Sequence, residues 1–221
     1  MIVFVDYEHE RAHSKPWGEQ LLAARTRITY RLEDLSGQHC MLVRHDRISV
    51  DLLERLDATA ICISGNSTDP RDYDPAELAA LTGIVQDRRL PMFGFCGGFQ
   101  FIAAALGADV VPLGRTDEPP SETSPYPEGI KHEFGYFPVE LTAPHPVLGG
   151  LDSPVVRHAH ALHVPNAPDG FEVLASTDKT PIQMAVDDTN KIVGTQFHPE
   201  YWTDEHPAGR AMIENFFAWI T

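Results

Sequence analysis

The residues best equipped for chemistry are a cysteine set among glycines and a histidine followed closely by a glutamate. Cys96 lies in "GFCGGFQ", and His198 and Glu200 lie in "GTQFHPE". A thiolate attacks acyl carbons readily. Acyl transfer through it needs a base to move the proton, and the base needs a carboxylate to hold its tautomer. Across a turn stiffened by Pro199, Glu200 can orient the imidazole of His198. The pattern G-x-C-x-G has the form of a strand-to-helix elbow, which lifts one side chain above a sheet. The elbow also offers the N–H after the nucleophile to a developing oxyanion, and the helix N-terminus favours thiolate. On this pattern alone, a nucleophile and a tight turn that merely holds a cysteine both stay open.

Positioning such groups requires strands that end at the same rim. The first half alternates the two periodicities: "IVFVD" (2–6), "HCMLVR" (39–44), "ATAICIS" (58–64) and "LPMFGF" (90–95) read as strands. Between them, residues 17–35 read as a helix with apolar Leu21, Leu22, Ile28, Leu32 and Leu35, and "SVDLLERL" (49–56) as a short helix with Ser49 as N-cap. "DPAELAALTGIVQD" (74–87) gives a helix capped by Asp74 with Pro75 at its first position. A helix follows Cys96 through Leu106, then a short strand at 108–113. This alternation predicts an α/β fold with a mostly parallel central sheet, helices on both sides, and ligands beyond the carboxyl ends of the strands.

Residues 115–133, "RTDEPPSETSPYPEGIKHE", read as a Pro-rich surface excursion. After it, 134–142, 154–158, 171–176, 181–187 and 191–197 read as β-rich segments, and a smaller antiparallel β region is expected beside the main sheet. A last helix at about 205–219 carries Ala208, Met212, Phe216 and Trp219 on one face. The whole 1–221 reads as a single domain, with no internal repeat. "DYEHERAH", after the first strand, reads as a polar βα loop on the site side of the sheet.

A net charge of −15 argues against nucleic-acid or anionic-membrane partners, which select basic patches. Apolar runs are too short for a membrane span, and the N-terminus lacks a signal-peptide pattern, so a cytoplasmic protein is expected. Three cysteines without regular spacing make no disulfide framework, and Cys40 and Cys62 read as small buried hydrophobes. His158, His160 and His163 in "VRHAHALHVP" invite a metal reading, but no Cys or Asp cluster accompanies them, so neither metal nor cofactor is expected.

"GFCGGFQ" and "GTQFHPE" together resemble the class I glutamine amidotransferase family, whose pattern is roughly G-[IV]-C-x-G-x-Q followed by G-[VT]-Q-F-H-P-E. The likeness extends to "RRLPMFGFC", "ICISGN" and the ending "NFFAWI", nearly the whole chain. The resemblance implies that Cys96 attacks the glutamine side-chain amide to form a γ-glutamyl thioester, with His198 as proton carrier and Glu200 as its orienting acid. It implies an oxyanion hole from Gly97 and from "SGNSTDP", where Asn66 or Gly65 supplies the second N–H in place of the family's S-G-G-P. Gln100, His160 and Ala161 match substrate-lining positions, with Ala161 replacing a polar residue.

The implied function is glutamine hydrolysis that delivers ammonia to a separate synthetase partner, since the chain shows no P-loop of its own, or that acts alone. The altered "SGNS" and "HAHAL" segments keep open a γ-glutamyl hydrolase acting on another γ-glutamyl amide. A non-catalytic regulatory paralogue is the reading from a different class.

Overall fold

The computed structural model describes residues 1–221. The first half comprises β1 (Ile2–Asp6), α1 (Glu10–His13), α2 (Gly18–Ser36), β2 (Cys40–Arg44), α3 (Val50–Arg55), β3 (Ala60–Ile63), α4 (Pro75–Asp87), β4 (Met92–Phe95) and α5 (Gly97–Ala105). The second comprises β5 (Val111–Pro112), β6 (Glu133–Pro138), β7 (Glu140–Leu141), β8 (Val155–His160), β9 (Leu162–His163), β10 (Glu172–Ser176), β11 (Met184–Asp187), β12 (Ile192–Thr195) and α6 (Ala208–Ile220).

Eight strands form one sheet in the order β2-β1-β3-β4-β12-β11-β10-β7. The first five are parallel, and the last three are each added antiparallel to a neighbour. Two short antiparallel ladders, β5–β9 and β6–β8, stand outside it. The expected architecture is therefore present: a large, mostly parallel sheet covered by helices, with smaller antiparallel additions.

β1 shows why both faces are apolar. Ile2 and Phe4 pack into a core with Ile28 and Leu32 of α2 and Met212 and Phe216 of α6. Val3 and Val5 point the other way, onto Leu53, Leu81, Val85 and Ile102 of α3, α4 and α5. Strict alternation with apolar residues at every position is what a strand buried on both faces requires. Ser49 caps α3 by accepting from Leu52 N at 3.1 Å, and Asp74 caps α4 by accepting from Ala76 N at 2.8 Å.

Some local expectations change. The polar βα loop contains the four-residue α1, which no apolar periodicity announces. Leu22, placed on the buried face of α2 by periodicity, is 48% exposed, while the stripe Gly18, Arg25, Ile28, Leu32 is buried. The strand expected at 108–113 shrinks to Val111–Pro112, while β8 runs on to His160. Cys62 is fully buried as expected, but Cys40 is only partly so. The 115–133 excursion closes on itself through an antiparallel bridge between Arg115 and Ile130. No helix is long and apolar enough to cross a membrane.

Candidate active site

The elbow is built by steric exclusion. β4 lies between β3 and β12, and Cys96 connects it directly to α5. Its backbone sits at φ 49°, ψ −105°, a conformation that costs a non-glycine residue about 1–3 kcal/mol. The flanking glycines permit the turn: a Cβ on Gly98 would strike the Ile63 carbonyl, and one on Gly97 would strike Asn66. The thiol is 5% exposed. Its sulfur lies 3.9 Å from the Ala159 carbonyl oxygen and accepts from Gln196 Nε2 at 3.6 Å.

β12, the neighbour of β4, carries the second group to the same rim. His198 Nδ1 lies 2.7 Å from Glu200 Oε1, and Glu200 is 1% exposed. The carboxylate accepts, so Nδ1 carries hydrogen and Nε2 is left for Cys96. The turn between them is clamped. His198 N–H donates to the Arg157 carbonyl at 2.7 Å, and Arg31 of α2 donates to the Glu200 carbonyl at 2.6 Å. Burial disfavours a charged His198, but Glu200 and Cys96 outweigh it and push its pKa up to about 10. The arrangement favours an imidazolium at His198, next to Cys96.

The third strand end supplies the loop 64–68. The would-be Cβ of Gly97 lies 3.0 Å from Asn66 N, and that of Gly65 lies 3.6 Å from Cys96 Cβ, so this loop packs directly on the elbow. Asn66 N–H makes no hydrogen bond within the protein, and Gly97, first in α5, has no intrahelical acceptor. Two unpaired donors thus sit side by side near the sulfur. The Asn66 side chain packs its Oδ1 against Gly97 and donates from Nδ2 to Thr68 O at 2.7 Å.

Buried charges hold that loop from beneath. Arg25 Nε donates to Asp6 Oδ1 at 2.7 Å and its NH2 to the Gly65 carbonyl at 2.8 Å. Burial opposes the Arg25 charge, but Asp6 more than compensates and its pKa rises. Glu8 accepts from Ser67 N at 2.6 Å, Ser67 Oγ at 2.8 Å and Thr68 Oγ1 at 2.8 Å. Sequence reasoning passed over Arg25 and gave Glu8 no role. Arg25 carried a signal: a charge on an otherwise buried helix stripe demands a partner. Glu8 carried none beyond its place after a strand.

These elements enclose a cavity of about 940 Å³ that is lined by Cys96, His198, Gly65, Asn66, Gln100, His160 and Ala161, among others. Gln100 spends its amide on the Leu162 carbonyl at 3.0 Å. Trp17, Leu21, Tyr126 and Tyr201 add apolar surface that the sequence reading did not assign to the site.

Comparison with known proteins places these features in a family context. The family model described as "Glutamine amidotransferase class-I" matches residues 24–220. The chain is 32% identical over 175 residues to GMP synthase [glutamine-hydrolyzing] of Leifsonia xyli subsp. xyli, covering 79% of this chain and 32% of that protein. It is 29% identical over 216 residues to the protein of the same name from Thermomicrobium roseum, covering 97% and 34%. It thus spans about a third of the length of these curated relatives. Among solved structures, a candidate GMP synthase subunit from Thermoplasma acidophilum superposes with a TM-score of 0.71 at 25% identity, covering 100% of this chain and 94% of that one. The glutaminase domain of Trypanosoma brucei CTPS, solved with bound acivicin, shares the fold with a TM-score of 0.66 at 16% identity, covering 100% and 93%.

Proposed function

Since the chain belongs to the class-I glutamine amidotransferase family, we propose that it hydrolyses glutamine through Cys96 and passes the ammonia to an acceptor site on a separate synthetase. Cys96 thiolate attacks the side-chain amide carbon. The oxyanion is met by the N–H groups of Gly97 and Asn66, each worth about 3 kcal/mol in comparable hydrolases. His198 gives its proton to the departing nitrogen, leaving ammonia and a γ-glutamyl thioester. His198 then takes a proton from water, the hydroxide attacks the thioester, and glutamate leaves with the thiolate regenerated. Glu200 holds the tautomer throughout.

The observation that carries this reading is the convergence of three strand ends: a strained cysteine, an imidazole 2.7 Å from a buried carboxylate, and two unpaired N–H donors. The names of the relatives support glutamine as substrate, and the Thermoplasma acidophilum protein, whose name calls it a GMP synthase subunit and which this chain covers over 94% of its length, supports an acceptor site on a separate subunit.

A second reading, hydrolysis of a larger γ-glutamyl amide, draws on the aromatic rim and on Ala161, which offers no polar side chain to the cavity. A cavity of about 940 Å³ is in the range that takes drug-sized ligands. Kinetics on glutamine and on γ-glutamyl-p-nitroanilide, each with and without candidate synthetases, test the proposal. Efficient turnover of the anilide with none of glutamine, with or without synthetase, would favour the second reading.

A further inference from the structure

Two carboxyl and two guanidinium groups line the substrate cavity: Glu8, Asp69, Arg25 and Arg157. Three are satisfied within the protein. Arg25 pairs with Asp6, Arg71 donates to both oxygens of Asp69 at 2.9 and 2.6 Å, and Glu8 accepts from Ser67 and Thr68. Arg157 is the exception. Its one side-chain hydrogen bond runs from NH1 to the His158 carbonyl at 2.9 Å, and no carboxylate pairs with it. The ionisable groups that face it are the phenols of Tyr136, Tyr126 and Tyr201. A guanidinium is always charged and carries five N–H donors in a rigid fork, so most of its donors here are free.

The place of Arg157 on β8 aims it at the substrate. Side chains along this strand alternate between a buried face, with Val156, His158 and His160, and a half-buried face, with Val155, Arg157 and Ala159. Arg157 thus shares the face of Ala159, whose carbonyl oxygen lies 3.9 Å from the Cys96 sulfur. Its guanidinium crosses to β6 and lies 4.1 Å from the ring centre of Phe134, the residue paired with Ala159. The fork therefore leans back along the strand toward the nucleophile. The Tyr126 phenol is within electrostatic reach of both the sulfur and the guanidinium. Phe134 keeps water off one face of the fork, which leaves its field less screened.

A γ-glutamyl substrate brings the group that such a fork fits. With the amide carbon at the sulfur, four carbon–carbon bonds set the α-carboxylate about 5 Å further along. The two residues of strand from Ala159 to Arg157 span about 7 Å, and the lean of the guanidinium shortens that reach. We propose that Arg157 is a specificity-determining residue that receives this α-carboxylate in its fork, so that the cavity selects γ-glutamyl compounds whose α-carboxylate is free. Ala161 has no side chain that could do so, and Gln100 commits its amide to the Leu162 carbonyl. Planar, two-pronged pairing fixes direction as well as distance, and so sets the γ-carbonyl at a defined reach from Cys96. The competing role is packing alone, with the guanidinium present only to cover Phe134. An uncharged side chain of similar length would then serve equally well.

The kinetic arm of the test rests on the γ-glutamyl reading, while a binding arm does not. Steady-state kinetics on glutamine and on glutamine α-amide, which lacks the carboxylate, need no variant. The parent should show a KM about 10- to 100-fold higher for the α-amide, the factor carried by hydrogen bonds to a charged group. Arg157→Met should raise KM for glutamine by a similar factor with kcat within about threefold, and leave KM for the α-amide nearly unchanged. Arg157→Lys should fall between, because an ammonium keeps the charge and loses the fork. The carbonyl of residue 157 that accepts from His198 N is kept in both variants, so alkylation of Cys96 by iodoacetamide should run at the parent rate.

For the binding arm, titration calorimetry with L-glutamate and with its α-amide should show the parent binding the first about tenfold or more tightly, a preference lost in Arg157→Met. Equal KM for the two substrates in the parent, or a loss in Arg157→Met that is the same for both, would overturn the proposal. A parent that turns over no γ-glutamyl compound would remove the functional reading alone. L-glutamate held by the parent and lost in Arg157→Met would then still support the assignment, whereas binding by both proteins or by neither would overturn it.

Discussion

Replacing Arg25 by methionine isolates what holds the 64–68 loop, which carries the proposed oxyanion donor Asn66. Arg25 is 3% exposed and Asp6 4%, with Nε 2.7 Å from Oδ1. Methionine fills much of the stem volume and removes the charge, leaving Asp6 buried with only Glu8 N at 3.1 Å, Ser64 Oγ at 3.4 Å and His13 Nε2 at 3.8 Å near its carboxylate. Removing one partner of a buried pair costs about 3–5 kcal/mol. The Gly65 carbonyl also loses a donor but keeps Ser64 Oγ at 2.9 Å, so it adds little. At about 2–4 °C per kcal/mol for a chain of this size, Tm should fall by roughly 6–20 °C. Asp6→Asn combined with Arg25→Met removes both charges and should restore half or more of the loss. Urea melts of the four proteins, closed as a double-mutant cycle, measure the coupling. Glutaminase assays at a temperature where all four are folded should show kcat falling with Arg25→Met, because the Asn66 N–H is no longer held. A cost below about 1 kcal/mol with kcat unchanged would refute the claim that this pair supports the loop.

Gly97→Ala places a methyl against Asn66 and should lower kcat about 100-fold or more with a smaller loss of stability, read by steady-state kinetics beside a thermal melt. Gly98→Ala meets the Ile63 backbone instead and should chiefly destabilise, a contrast that soluble yield and melting temperature reveal. Glu200→Gln should lower kcat about 10²–10⁴-fold with KM within about threefold, because the imidazole loses its orienting charge. The raised His198 pKa implies stability that is full below the unfolded value of 6.5 and lost as pH climbs through about 10. Urea midpoints from pH 6.5 to 10 should therefore fall in the parent and flatten in His198→Gln. Glu133 has the opposite sign: its depressed pKa stabilises above the unfolded value of 4.5 and is lost as pH falls through about 2, a limb that Glu133→Gln should flatten.

What the sequence disclosed followed its strongest periodicities. β1, β3 and β4 read as strands from their largely apolar runs because helices cover both faces, and α4 announces itself through Asp74 and Pro75. The elbow was legible because glycine is the only residue that fits against Ile63 and Asn66 there. The second half was harder. β9 has two residues, and its pairing with β5 depends on a chain return that no local pattern encodes. Glu133 looked like the end of a polar excursion, since its partners Thr177, Thr180 and Gln183 lie more than 40 residues away. Likewise Leu22 satisfied the apolar period of α2, while the fold turned Arg25 inward to meet Asp6.

The central claim is that Cys96, activated by His198, is the group that meets a γ-glutamyl carbonyl. Its most direct measurement is intact-mass spectrometry and peptide mapping of the isolated protein after treatment with a diazo-ketone analogue of glutamine. The account predicts a single adduct on Cys96, slowed by competing glutamine and strongly slowed in His198→Gln, with Cys40 and Cys62 unmodified. Label on another residue, or labelling of Cys96 at the same rate when His198 is gone, would contradict it.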